Sequence, residues 1–317
     1  MTIKPVLTVN NIHKKIGKKK ILEEISLDVY PGEIVGLLGP NGSGKTTLIK
    51  IIVGLMEKNE GTILINGFPL NQEFEEAIRF VGAIIENPEF YQNMTGYENL
   101  QQYAEMAGNI SKTRIDEVVE RVGLSHAIDD KVKAYSLGMR QRLGIAQGIL
   151  HSPSLLILDE PTNGLDPAGM KDFREHIKEL AKRENVAILI ASHLLSEVEE
   201  LCDRVIIIQN GKIKSTVSLS ENLETELTLR MELRPQENAL SWLSGQGFEA
   251  EANGDFLLVK VKKEQVPDLC RRMSIDGIDI FSVIPVKRSL EESFIDWTTE
   301  NVMREREGEE YEQTDSK

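Results

Sequence analysis

Eight consecutive residues, Gly39-Pro40-Asn41-Gly42-Ser43-Gly44-Lys45-Thr46, follow the pattern G-x-x-x-x-G-K-[ST], a combination suited to gripping a chain of phosphates. The glycines let successive backbone N–H groups turn toward phosphate oxygens, and a helix starting there adds the positive end of its dipole. Lys45 can reach the β and γ phosphates, Thr46 offers a hydroxyl to Mg²⁺, and Thr47 completes the nucleotide-binding set. A second cluster, Leu155-Leu156-Ile157-Leu158-Asp159-Glu160, is a short apolar run ending in two adjacent carboxylates. Asp159 can hold Mg²⁺, directly or through water, and Glu160 can polarise a water that attacks the terminal phosphate.

These side chains need elements to aim them. Residues 34–38 are a buried strand running into the glycines, and residues 46–53 carry apolar side chains at helical spacing, with Gly54 as the stop. The order strand, glycine loop, helix is the one the phosphate pattern requires. Residues 97–150 read as mostly helical. Strands follow at 155–158, 186–190 and 205–208, with helices at 167–182 and 194–202 between them. The alternation predicts a largely parallel α/β core interrupted by a helical insertion. Strands at 6–9 and 25–30 flank a loop carrying Lys14, Lys15, Lys18, Lys19 and Lys20, read as a solvated turn.

Near Ser215 serine and threonine become frequent and the glycine motifs stop. The expected division is an ATPase-type domain at 1–215, with its helical insertion at about 97–150, and a small α/β accessory domain at 216–300. In the latter, strands fall at 226–233, 256–261 and 278–286 and helices at 236–244 and 264–273. Residues 301–317 are charged and poor in apolar residues, as in a disordered acidic tail.

The 317 residues are 40% hydrophobic, enough for two cores, and the formal net charge of −14 opposes general attraction to nucleic acid or an anionic membrane surface. No apolar run approaches the roughly 18 residues of a membrane span. Met1 to Val9 lacks the charged and apolar halves of a secretory leader, so a cytoplasmic location is expected. Cys202 and Cys270 are too few for a disulfide framework and read as packed thiols.

Tyr135-Ser136-Leu137-Gly138-Met139-Arg140-Gln141-Arg142-Leu143, just before the Asp159 strand, resembles the signature of ABC transporter ATPases, and the order of motifs over 1–215 is similar to theirs. By itself the segment is only a capped helix start. The resemblance implies a P-loop ATPase fold of ABC type in which Ser136, Gly138 and Gln141 face ATP bound to a second chain, so that a homodimer sandwiches two ATP molecules. It further implies that Asp166, in Asn163-Gly164-Leu165-Asp166, links the two sites. His193, closing Ile190-Ala191-Ser192-His193, would contact the γ-phosphate and the attacking water. It implies finally a peripheral location on the inner face of the membrane, where ATP hydrolysis drives an integral membrane permease.

Two positions depart from the common family form. Glu86 stands where most relatives have a glutamine that reaches Mg²⁺, and the resemblance implies that its carboxylate ligates the ion together with Thr46 and Asp159. With residues 85–91 and Thr95-Gly96-Tyr97-Glu98-Asn99-Leu100, it resembles bacitracin-efflux and lantibiotic-immunity ATPases, implying export of an antibiotic or peptide. Ile16 stands where relatives carry an aromatic against adenine, which implies weaker discrimination between ATP and GTP. Residues 289–297, Ser289 to Trp297, are similar to the segment that closes drug-efflux ATPases and read as a capped amphipathic helix. A non-transport ABC ATPase acting on ribosomes or DNA is the rival reading, although such proteins usually duplicate the motif set. An import ATPase is a further alternative, to which the α/β-like C-terminal region is less suited.

Overall fold

The computed structural model describes residues 3–86, 88–108, 110–219 and 226–286, in two compact units divided along the chain between positions 220 and 221. In the first, β1 (Leu7–Ile16) and β2 (Lys19–Val29) form an antiparallel hairpin and β3 (Ile34–Leu38) enters the phosphate loop. Helix α1 (Lys45–Ile52), β4 (Glu60–Ile65), β5 (Phe68–Pro69), α2 (Phe74–Ile78) and β6 (Val81–Ile84) follow. The helical stretch is α3 (Gly96–Met106), α4 (Lys112–Arg121) and α5 (Leu137–Ile149). The chain then returns through β7 (Leu155–Asp159), α6 (Pro167–Glu184), β8 (Ala187–Ser192), α7 (Leu195–Leu201), β9 (Arg204–Gln209) and β10 (Lys212–Ser218).

A six-stranded sheet in the order β10-β9-β3-β8-β7-β6 is parallel from β9 to β6, and only the edge strand β10 runs antiparallel. Every residue of β3, β7 and β8 is buried, which is why these stretches run continuously apolar, instead of alternating, up to the polar residues Asp159 and Ser192 that end β7 and β8. A second sheet, β2-β1-β4-β5, is antiparallel. One core joins both sheets through Leu37, Leu48, Ile52, Ile157 and Leu189.

Each helix of the insertion starts on a side-chain cap. Thr95 and Glu98 form a reciprocal capping box on α3, Ser111 caps α4, and Ser136 caps α5. Asp166 caps α6, with Pro167 at its first position.

Three readings of the sequence change here. The lysine-rich stretch is not an extended loop. Strands β1 and β2 run through it until Ile16 pairs with Lys19, because Gly17, with φ 59, makes a two-residue turn. Strands β4 and β5 had no counterpart, since 60–69 is broken by Gly61 and Gly67. Ser215 lies inside β10, which carries the first unit on to Ser220.

The second unit comprises β11 (Glu226–Arg234), α8 (Gln236–Gly245), β12 (Ala250–Asn253), β13 (Phe256–Lys262), α9 (Val266–Ile275) and β14 (Asp279–Val286). Its antiparallel sheet, β12-β13-β11-β14, has the β-α-β-β-α-β arrangement. Leu229, Met231, Leu257, Val259, Leu243, Leu269 and Met273 form its separate core. The segments at 289–297 and 301–317 lie outside the described residues.

Strand β6 lies close to the backbone of α5. A Cβ on Gly82 would stand 2.0 Å from the carbonyl oxygen of Gly148, an atom that cannot move without its helix. Gly82→Ala is therefore expected to destabilise the first unit by about 1–3 kcal/mol, read as a lower melting temperature of the full chain.

Candidate functional site

The loop between β3 and α1 folds back on itself, with the Ser43 N–H donating to Pro40 O at 3.1 Å. Gly44 begins the helix at φ 110, a conformation closed to other residues, and aims the first free N–H groups of α1 across the loop. Lys45, only 6% exposed, donates to Gly39 O at 2.7 Å and lies 3.7 Å from Glu160 Oε1. Pro40 and Asn41 form the exposed rim, and Thr46 and Thr47 follow on α1.

Strand β7 delivers Asp159 and Glu160 beside this loop. Asp159 is 3% exposed, and burial pushes its carboxyl above the ordinary carboxylate range; a hydrogen bond from Thr46 opposes the shift and the Glu160 charge adds to it. Glu160 adopts the left-handed φ of 50, rare outside glycine. Its N–H donates to Ala191 O at 2.9 Å, which ties the end of β7 to β8. From the end of β8, His193 donates through Nδ1 to Glu160 Oε2 at 2.7 Å. The lysine, the two carboxylates and the histidine named in the sequence thus converge at the C-terminal edge of the parallel strands.

Mg²⁺ can be tested against this donor set. Asp159 Oδ1 is buried and has no hydrogen-bond partner, and Thr46 already contacts the same carboxylate. The described residues contain no cluster of three acidic, histidine or cysteine side chains able to hold a metal alone. One carboxylate and one hydroxyl, completed by phosphate oxygens and water, fit the preference of Mg²⁺. Ser43 Oγ is likewise buried and unpartnered within the loop. Glu86, the third expected ligand, is at φ 64 and 71% exposed and pairs with Lys50 Nζ at 3.1 Å, close enough for its charge to raise the Asp159 carboxyl further.

The signature residues line a different groove. Ser136 Oγ accepts the Met139 N–H at 3.2 Å, and Gly138 has only Leu165 and Ser136 side-chain atoms near its open side. Gly164, Leu165 and Asp166 complete the groove, and Asp166 Oδ1 accepts the Gly169 N–H at 3.0 Å. Gln141 is 3% exposed and borders the same groove. No residue of 39–47 lines it.

The sequence reading missed Glu197, which accepts hydrogen bonds from Thr162 and Ser192 behind the Glu160–His193 pair. A signal was present, because positions 194, 197, 198 and 201 share one helical face and an acid interrupts an otherwise apolar stripe. Lys50, the partner of Glu86, was missed as well. Cys202 and Cys270 are free thiols, and burial pushes the pKa of each up, away from the thiolate form.

This constellation is that of a P-loop ATPase. The sequence pattern described as ABC transporter matches residues 22–163, and one described as an AAA domain, putative AbiEii toxin, matches 129–199. An uncharacterised ABC transporter ATP-binding protein of Bacillus subtilis, YdbJ, is 59% identical over 93% of this chain and 96% of its own. The bacitracin transport ATP-binding protein BcrA of Bacillus licheniformis is 39% identical over 92% and 96%. The lantibiotic transport ATP-binding protein SrtF of Streptococcus pyogenes is 42% identical over 69% of this chain and 94% of its own. A solved ATP-binding subunit of an ABC transporter superposes with a TM-score of 0.61 at 33% identity, covering 68% of this chain and 91% of that one. The chain belongs to the ABC transporter ATP-binding proteins. It is an ATP-hydrolysing transport subunit of that family.

Because burial raises the Asp159 carboxyl, its ionised form costs stability, a cost that sets in as pH rises above about 4 through the raised value. Asp159→Asn is therefore expected to melt higher than the parent at neutral pH without nucleotide, and to lose the further stabilisation that Mg²⁺ and ATP give the parent. Thermal melts across pH, with and without both ligands, check this.

Proposed function

We propose that the chain powers an exporter: two copies close on two ATP molecules, hydrolysis reopens them, and the motion drives a separate integral membrane permease from the cytoplasmic face. The observation that carries this reading is the split of the nucleotide machinery within one unit. Lys45, Asp159, Glu160 and His193 converge at the phosphate loop, whereas Ser136, Gly138 and Asp166 line a groove that no residue of the loop enters. A second copy is needed to set that groove against the terminal phosphate.

In the hydrolytic step, Glu160 takes the proton of the attacking water, and its hydrogen bond to His193 fixes the carboxylate's direction. Lys45 and the α1 N–H groups hold the β and γ phosphates. Thr46 and Asp159 would hold Mg²⁺, which would supply positive charge against the phosphate oxygens. Among the described residues no helix is long and apolar enough to cross a membrane, which fits dependence on a permease. Glu86 and the full-length similarity to BcrA favour a bacitracin-like antibiotic or a peptide as cargo.

Glu160→Gln is expected to keep ATP binding and slow hydrolysis by about 10²- to 10⁴-fold. In light scattering it should dimerise on adding ATP; normal turnover would remove Glu160 from this role. Ile16 is exposed at the tip of β1, available to pack on a base but unable to stack. Ile16→Tyr is expected to tighten nucleotide binding by about 1–3 kcal/mol, measured by competition between ATP and GTP. Affinity purification of the chain from detergent-solubilised host membranes, with the bound polytopic protein identified, tests the permease and its class.

A further inference from the structure

Glu197 is 6% exposed on α7, behind the triphosphate site, and its carboxylate spans two segments that both lead into that site. Thr162 Oγ1 donates to Oε1, and Ser192 Oγ donates to Oε2 at 2.6 Å. The two hydroxyl residues are 2% and 0% exposed, so neither has water as an alternative partner. Ser192 Oγ in turn accepts the Leu194 N–H at 3.0 Å, which fixes the backbone on both sides of His193. Thr162 follows Glu160 by two residues, and its carbonyl accepts the Leu165 N–H at 3.0 Å at the start of the turn leading to Asp166. The contacts close a ring: Glu160 to His193 on the side of the attacking water, and Thr162 to Glu197 to Ser192 behind it.

A leucine at this point of the apolar face of α7 would fill the space without the desolvation cost of a carboxylate. What it could not do is hold two hydroxyls from different strand ends at a fixed separation. We propose that Glu197 is a positioning residue for hydrolysis, a clamp that sets the Glu160–His193 geometry from behind. The inference rests on the reading of Glu160 and His193 as the hydrolytic pair. Misplacing such a pair by about 1 Å can cost on the order of 100-fold in rate.

The test is steady-state ATP hydrolysis by the purified full-length chain with Mg²⁺, separating kcat from KM. Glu197→Ala is expected to lower kcat by about 10- to 100-fold with KM for ATP unchanged. Glu197→Asp keeps the charge but is one methylene too short to reach both hydroxyls, and should be as slow. Glu197→Gln keeps the length, accepting one hydroxyl and donating to the other, and should recover most of the rate. Thr162→Val and Ser192→Ala each remove one arm with little change of volume, and should lower kcat even where Glu197→Ala does not fold. Parental kcat in Glu197→Ala, in either hydroxyl variant, or in Glu197→Asp while Glu197→Gln stays slow, would overturn the clamp. A loss of ATP binding parallel to the loss of rate would do the same. Glu160→Gln in the same assay separates the premise: if it turns over normally the hydrolytic pair itself is wrong and the clamp falls with it, whereas slow Glu160→Gln beside normal Glu197→Ala sinks the clamp alone.

Discussion

Asp159 reaches the phosphate loop on a strand with no solvent-facing side, and is itself 3% exposed. A carboxylate in that position is held at a cost, visible in its raised pKa, and Glu160 beside it increases the cost. Lys45 is itself 6% exposed and is shared between Gly39 O and Glu160. The loop thus concentrates groups that satisfy one another incompletely. A polyanion accompanied by a divalent cation supplies both missing signs of charge, so the same burial that strains the site gives it selectivity for that pair of ligands.

The parallel sheet makes this concentration reachable. Residues 39–46, 86, 159–160 and 193 are scattered over much of the chain, but β3, β6, β7 and β8 run in one direction and release them at one edge. Register at the opposite end is pinned by polar ties. Arg204 grips Glu33 through two nitrogens at 2.7 and 3.1 Å, and Asp203 accepts the Ile34 N–H at 2.9 Å. A slip of one residue in β3 would turn its side chains over and carry the glycine loop out of line with Asp159.

Much of this was legible in the sequence because phosphate chemistry leaves little freedom. Gly44, Lys45 and Asp159 each meet a requirement that few residues fulfil, and the strands leading to them are continuously apolar up to their polar ends. The hairpin of β1 and β2 was harder, because Lys14, Lys15, Lys19 and Lys20 lie on strands whose alternation is concealed by charge and by register shifts. Strand β4 has glycine at its second position and so lacks a local signal. Glu197 belongs to another category. Its importance depends on Thr162 and Ser192 arriving from distant segments, which no window along the chain can contain.

Strand β10 closes one side of the main sheet, with a sequence that alternates exposed and half-buried positions and carries Lys212 and Lys214. Lys212 pairs with Glu23 of β2 at 3.3 Å, and the backbone N–H of Glu23 donates to Gly211 at 2.8 Å. Lining the last strand with lysines, and tying its start to β2, disfavours extension of the sheet by another chain's strand, the usual route to fibrillar aggregation. In the proposed cycle, where two copies meet on ATP, repeated encounters at high local concentration would thereby be channelled away from strand addition.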